Sequence, residues 1–102
     1  MQLPTHLRGY LCSDYFASEW ATTGFWCEKS RLLVIVPALE VEELPQVSLL
    51  AVGRAGVDGI LFGYRLGMSG LWAFYPIEQE FVLVAASVTE LVKKWIDGPL
   101  NL

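Results

Sequence analysis

The stretch Gly59-Ile60-Leu61-Phe62-Gly63-Tyr64-Arg65-Leu66, followed by Gly67-Met68-Ser69-Gly70 and then Leu71-Trp72-Ala73-Phe74-Tyr75-Pro76, decides the fold. Its first part alternates as a strand does, with Ile60, Phe62, Tyr64 and Leu66 on one face and Leu61, Gly63 and Arg65 on the other. Gly67–Gly70 reads as a turn, because glycine reaches the backbone angles that tight reversals need. Leu71–Tyr75 is then a second strand, stopped by Pro76, and Glu78-Gln79-Glu80 is a polar turn into a third strand, Phe81–Ala85. Parallel pairing needs a long crossover, so strands joined this closely must form an antiparallel meander. Gly63, in mid-strand, marks a bulge or a place where something approaches the backbone closely.

Outward from the meander, Ser87-Val88-Thr89-Glu90 has the form of a capping box that opens a helix. Val88, Leu91, Val92, Trp95 and Ile96 make its apolar stripe, with Trp95 expected as the largest buried contribution. Lys93 and Lys94 lie in its last turn, where positive charge offsets the helix dipole, and Gly98 and Pro99 end it. Towards the N-terminus, Leu3–Cys12 reads as a short helix with Pro4 in its first turn and Leu3, Leu7, Tyr10 and Leu11 on one face. Asp14–Thr23 suits either a helical turn or a wrapped loop. Phe25–Cys27 and Leu32–Val36 read as strands around Glu28-Lys29-Ser30-Arg31, and Val47–Val52 as another strand. Between them, Leu39–Leu44 puts Glu40 and Glu42 on one parity and Val41 on the other. The expected fold class is α+β: one domain spanning residues 1–102, an antiparallel sheet covered by N-terminal and C-terminal helices.

Composition narrows the function. Hydrophobic residues make up 54% of the 102, which excludes disorder and leaves apolar surface to spare for an interface or groove. Eleven acidic residues against seven basic give a net charge of −4, which argues against nucleic acid as a partner. An acidic chain is suited to a basic protein partner. The first residues lack a secretion signal, and the longest apolar run, Leu32–Leu39, is far too short to span a membrane. A cytoplasmic protein with no membrane partner is expected, with Cys12 and Cys27 as free thiols in or near the core.

Catalytic chemistry is poorly supplied. His6 is the only histidine and is expected at the surface, so no paired-histidine metal site exists and neither cysteine has a local base. Gly53-Arg54-Ala55-Gly56 lacks the Gly-Lys-Ser/Thr ending of a phosphate loop, and no segment resembles a calcium loop. No cofactor is expected, and the chain reads as a non-enzyme. The carboxylates Glu40, Glu42, Glu43 and Asp58 suit solvated turns, a strand edge guarded against further pairing, or a protein-facing patch. The rings are more telling, because Leu71, Ala73 and Tyr75 face one way and Trp72 and Phe74 the other, so both faces of the hairpin are apolar. One face is core; the other is covered by the N-terminal half or offered to a partner. The candidate partner-binding residues are Trp26, Glu40, Glu42, Glu43, Asp58, Tyr64, Trp72 and Tyr75.

Three segments together, Asp58–Tyr64, Gly70–Pro76 and Glu80–Ala85, with Ser87–Ile96 closing the run, resemble the SMI1/KNR4-like (SUKH) superfamily, mainly over residues 58–97. Leu3-Pro4 before a short helix is similar to that family's opening. The resemblance implies an α+β protein that binds other proteins, and many bacterial members are immunity proteins that neutralise toxins. It brings no catalytic residues. The alternatives are a homo-oligomeric structural domain and a small-ligand-binding protein or enzyme using carboxylates, with an enclosed pocket lined by Tyr64, Trp72 or Tyr75.

Overall fold

The computed structural model describes residues 1–98, so Pro99, expected to help end the last helix, lies outside the described residues. The sheet has seven strands: β1 (Phe25–Cys27), β2 (Leu32–Ile35), β3 (Glu42–Leu44), β4 (Leu49–Arg54), β5 (Leu61–Arg65), β6 (Met68–Tyr75) and β7 (Glu80–Ala85). Their order is β1-β2-β4-β5-β6-β7, with every neighbouring pair antiparallel. The meander expected from Gly59 to Ala85 is therefore present, and the protein is α+β. Its hairpin turn is tighter than the glycines suggested. β6 already begins at Met68, and Gly70, with φ of 92°, lies within the strand beside a register shift at Leu71/Trp72.

One edge of β4 carries two strands in succession. Ile35 of β2 pairs with Gly53, and Glu42, Glu43 and Leu44 of β3 pair with Ala51, Leu50 and Leu49. β2 and β3 thus run the same way along β4, as two halves of one interrupted strand. Between them the chain leaves the sheet at Pro37 and makes a 3-10 turn, Ala38–Glu40, so the parity read for Leu39–Leu44 applies as strand alternation only from Glu42. Proline has no amide hydrogen for the ladder, so the departure there follows from covalent structure.

Strand alternation then sorts the side chains. Leu50, Val52, Phe62, Tyr64, Leu71 and Ala73 point to an inner face and are buried. They pack against Leu7, Tyr10, Tyr15 and Phe16 from the N-terminal segment and Val88, Leu91 and Val92 from the last helix, α3 (Val88–Asp97). Each such side chain removed from water stabilises the fold by about 1.5–3 kcal/mol before entropy is counted. In the N-terminal segment the helix expected over Leu3–Cys12 is shorter and of 3-10 type, and Asp14–Thr23, open between a helical turn and a loop, is mostly helical. The segment is a 3-10 helix, Thr5–Tyr10, ended by Leu11 at φ of 54°, then two short helices, α1 (Ser13–Ala17) and α2 (Trp20–Thr23). His6 is exposed, Cys12 is buried and Cys27 half-buried, and both thiols are free.

Two polar ties hold these layers together. Asp14, in α1, accepts at one carboxylate oxygen from the Tyr64 hydroxyl (2.9 Å) and from the Val88 backbone amide (2.8 Å). The second bond caps the first turn of α3, whose amides lack partners within the helix, and places negative charge where the dipole favours it. Ser87 caps the same turn by accepting from the Glu90 amide at 3.2 Å. The reciprocal half of the expected capping box is replaced: the Glu90 carboxylate is held by Lys94 Nζ (3.1 Å) and the Ala86 amide. Lys94 also donates to the Val84 carbonyl of β7 at 3.0 Å. The other tie is the Tyr15 hydroxyl, which donates to the Val36 carbonyl at 2.6 Å, beside the interruption between β2 and β3.

Three expectations of burial are corrected. Trp95 is only half-buried, meeting Phe62 edge-on at 6.1 Å between ring centres, and Tyr15 and Tyr64 are the largest wholly buried side chains. Ile96 is exposed, because the helix buries Val88, Leu91 and Val92, and in its last turn Trp95 and not Ile96 packs against the core. Leu66 is exposed too, since it falls in the hairpin turn after the register shift between Gly63 and Arg65.

Gly63 is a place of close approach, as its mid-strand position suggested. A Cβ there would collide with the Leu50 carbonyl oxygen and come within 2.8 Å of Leu49 Cδ1. Backbone cannot move aside cheaply, so Gly63→Ala should cost about 1–3 kcal/mol by overpacking. Gly98, with nothing within 4 Å of its Cβ position, should tolerate alanine within about 0.5 kcal/mol. Urea denaturation of the two variants beside the native protein checks both values.

Candidate functional site

The outer face of the sheet, opposite the helices, carries a second and smaller apolar cluster. Leu49, Ala51 and Phe74 are buried there, with Leu44, Val47, Leu61 and Phe81 half-buried around them. The α-helical residues that join a core all belong to the inner one, so among the described residues this face has no α-helical cover, and Val47 of a single 3-10 turn, Pro45–Val47, packs on it. The register explains its composition. Gly63 lies between Ala51 and Trp72, while Phe74 pairs with Phe81 and Trp72 with Leu83.

Arg65 lies on this aromatic floor. Its guanidinium carbon is 3.9 Å from the centre of the Phe81 ring and 4.9 Å from that of Trp72. A planar cation over aromatic faces is an attractive contact of about 0.5–1 kcal/mol where water still reaches it. Phe74 and Phe81 pack ring on ring at 4.8 Å, and the Trp72 indole donates to the Ser69 carbonyl at 3.2 Å. Leu83, beside Trp72, is 55% exposed, and Met68, paired with Arg65, is also exposed.

The same face ends in a cleft of about 310 Å³. Val36, Ala51 and Leu61 line it together with Ile60, which also joins the inner core; Glu40 and Glu42 line it from the interrupted strand, and Arg54 from the end of β4. Ala51 and Leu61 belong to both the cleft and the outer apolar cluster, so the two are continuous. A register shift between Ala51 and Gly53 brings Arg54 opposite Leu61, on this face. The cleft lies beside the interruption between β2 and β3: Val36 still donates to the Val52 carbonyl at 2.8 Å, residues 37–41 bow away from β4, and pairing resumes where Glu42 meets Ala51.

The structure brings together only part of the candidate set. Glu40 and Glu42 share the cleft, and Trp72 lies on the adjoining aromatic floor. Glu43 points the other way and accepts from the Tyr10 hydroxyl at 2.8 Å, as its pairing with inward Leu50 requires. Asp58 is exposed in the β4–β5 turn at φ of 55°, between the cleft residues Val57 and Gly59. Trp26 is exposed on β1, at the far edge of the sheet, its indole donating to Glu28 at 2.7 Å. Tyr75 is half-buried against the inner core. Tyr64 is corrected: it is 0% exposed with its hydroxyl engaged by Asp14, so no partner reaches it, and it is not among the residues that line the cleft. Sequence reasoning missed Arg54, Arg65 and Leu83 as parts of one surface. Arg65 had a usable signal, since its parity with Leu61 and Gly63 put it on the second face.

Chemically, the cleft offers two carboxylates and one guanidinium over an apolar floor, with neither a thiol nor an imidazole among its lining residues. Among the described residues no three potential metal ligands cluster, and no helix is long and apolar enough to cross a membrane.

The perturbed acids belong to the structural core instead. Burial, aided by the Glu43 carboxylate, pushes the Tyr10 hydroxyl up to about 12, and burial pushes the Cys12 thiol up to about 11. Tyr15 and Tyr64 are raised as well, through burial first and then through nearby Cys12 and Asp14 respectively. These groups hold their protons more tightly folded than unfolded, where thiol and phenol ionise near 9.0 and 10.0. Their contribution is therefore complete below pH 9 and is lost as pH rises towards 12. Urea midpoints should fall steadily over that window, and Tyr10→Phe should flatten the part above pH 10. No family model matches the chain, and neither does any curated protein or solved structure.

Proposed function

We propose that the chain is a protein-binding module whose contact surface is the outer face of the sheet. The carrying observation is the half-buried Trp72 under the Arg65 guanidinium, with exposed Leu83 beside it, on a face without α-helical cover among the described residues. Tryptophan and arginine are enriched among residues that dominate binding energy, and a rigid strand presents them at little entropic cost. The net charge of −4 favours a basic partner by steering encounter. The resemblance to SMI1/KNR4-like proteins supports the same reading, with an immunity protein that neutralises a bacterial toxin domain in the cytoplasm as its specific form. No catalytic role is proposed.

The test is affinity capture from the host cytoplasm and from candidate toxin domains, with matched variants. A partner retained by the native protein should be lost at least about tenfold by Trp72→Ala and by Leu83→Asp, and kept by Lys93→Ala on exposed helix surface. Capture indifferent to Trp72 and Leu83 would contradict the proposal. Sedimentation showing a dimer that Leu83→Asp dissociates would assign the face to a second copy of the chain.

A further inference from the structure

We infer that the cleft at the end of the outer face is a socket for one basic side chain, arginine or lysine, of the bound protein. This rests on the outer face being a protein-binding surface, with which the cleft is continuous through Ala51 and Leu61. The lining matches the two-part chemistry of such a side chain. Val36, Ala51, Ile60 and Leu61 provide apolar surface for a methylene stem, and Glu40 and Glu42 provide carboxylates for the charged head. Among the described residues the sole ion pair is Glu90–Lys94, so neither cleft carboxylate is neutralised by a salt bridge within the chain.

The geometry also selects against other ligands. Two carboxylates against one guanidinium leave the lining net negative, which disfavours phosphate and carboxylate ligands. A metal ion would need a third ligand that the described residues do not supply. Arg54, on the β4 side, repels a second cation, so the socket takes one basic head beside the acidic lining. Val57, more than half exposed and also lining the cleft, adds apolar surface for the backbone that carries the inserted side chain.

The probe is acetyl-Gly-Arg-Gly-amide, followed by amide NMR shifts of the isotopically labelled chain, beside analogues with lysine, glutamine or glutamate at the centre. The arginine and lysine peptides should shift signals around residues 40–42, 51–54 and 57–61 saturably, and the glutamine and glutamate peptides should not. Glu40→Gln with Glu42→Gln should weaken binding at least about tenfold, and added salt should weaken it further. Arg54→Gln should leave it equal or tighter. All three positions are exposed, so the variants fold. Absence of saturable shifts, equal binding of the glutamate peptide, insensitivity to the double variant, or weaker binding in Arg54→Gln would each overturn the inference. Trp72→Ala should leave peptide binding unchanged. Failure of the socket alone therefore shows as partner capture that depends on Trp72 with no peptide binding. Failure of the outer-face reading shows as capture that ignores Trp72 while peptide binding persists.

Discussion

A single carboxylate oxygen joins three parts of this protein that are far apart in sequence. Asp14 lies in the N-terminal segment, Tyr64 in the centre of the meander and Val88 at the start of the last helix, and both hydrogen bonds end on Asp14 Oδ2. Hydrogen bonds to an ionised acceptor are worth about twice neutral ones, and the Tyr64 hydroxyl has no access to water as an alternative. The tie sets where α3 begins and holds the N-terminal segment over the same face of the sheet. With the α-helices on the inner side, the outer side is left without an α-helix among the described residues. The binding surface is in that sense a consequence of how the core is closed.

The outer face is shaped by two further constraints. Gly63, paired with Ala51 on one side and Trp72 on the other, lets β4 approach β5 so closely that the Leu50 carbonyl and the Leu49 side chain occupy the space a side chain would need. The interruption between β2 and β3 does the opposite, since it withdraws chain from β4 and opens the cleft. Close packing in one place and absent pairing in another thus give one continuous surface, aromatic at one end and acidic at the other. Lys94, by donating to the Val84 carbonyl, covers part of the β7 edge and discourages strand addition there.

Much of the fold was legible from local pattern. Alternation in Gly59–Leu66 and Leu71–Tyr75 puts Phe62 with Tyr64 and Leu71 with Ala73, and Ser87 marks the helix start; the structure keeps both groupings and the cap, while which face is core is settled by the packing. The apolar character of both hairpin faces was legible too, and it is what the outer cluster expresses. Beyond reach were features fixed by distant contacts. The parity of Glu40 and Glu42 was read from an assumed strand; they do share the cleft, though Glu40 reaches it from a 3-10 turn. Glu43 looked equivalent to its neighbours, yet pairing of β3 with β4 turns it towards Tyr10. Tyr64 read as a partner contact because a phenol on a strand resembles a hot spot; its partner, Asp14, lies 50 residues away. Trp95 was read from the apolar stripe as the helix's largest buried contribution; it packs edge-on against Phe62 but stays half-buried, while Ile96 of the same stripe is exposed.

The dependence of the architecture on Asp14 is most directly tested by a double-mutant cycle with Tyr64. Asp14→Ala, Tyr64→Phe and the double variant are compared with the native protein by urea denaturation. A coupling of about 1–3 kcal/mol is predicted, with Asp14→Ala the costlier single change because it strands the Tyr64 hydroxyl and the Val88 amide together. Additive effects, with coupling below about 0.5 kcal/mol, would show that the layers hold together without this tie.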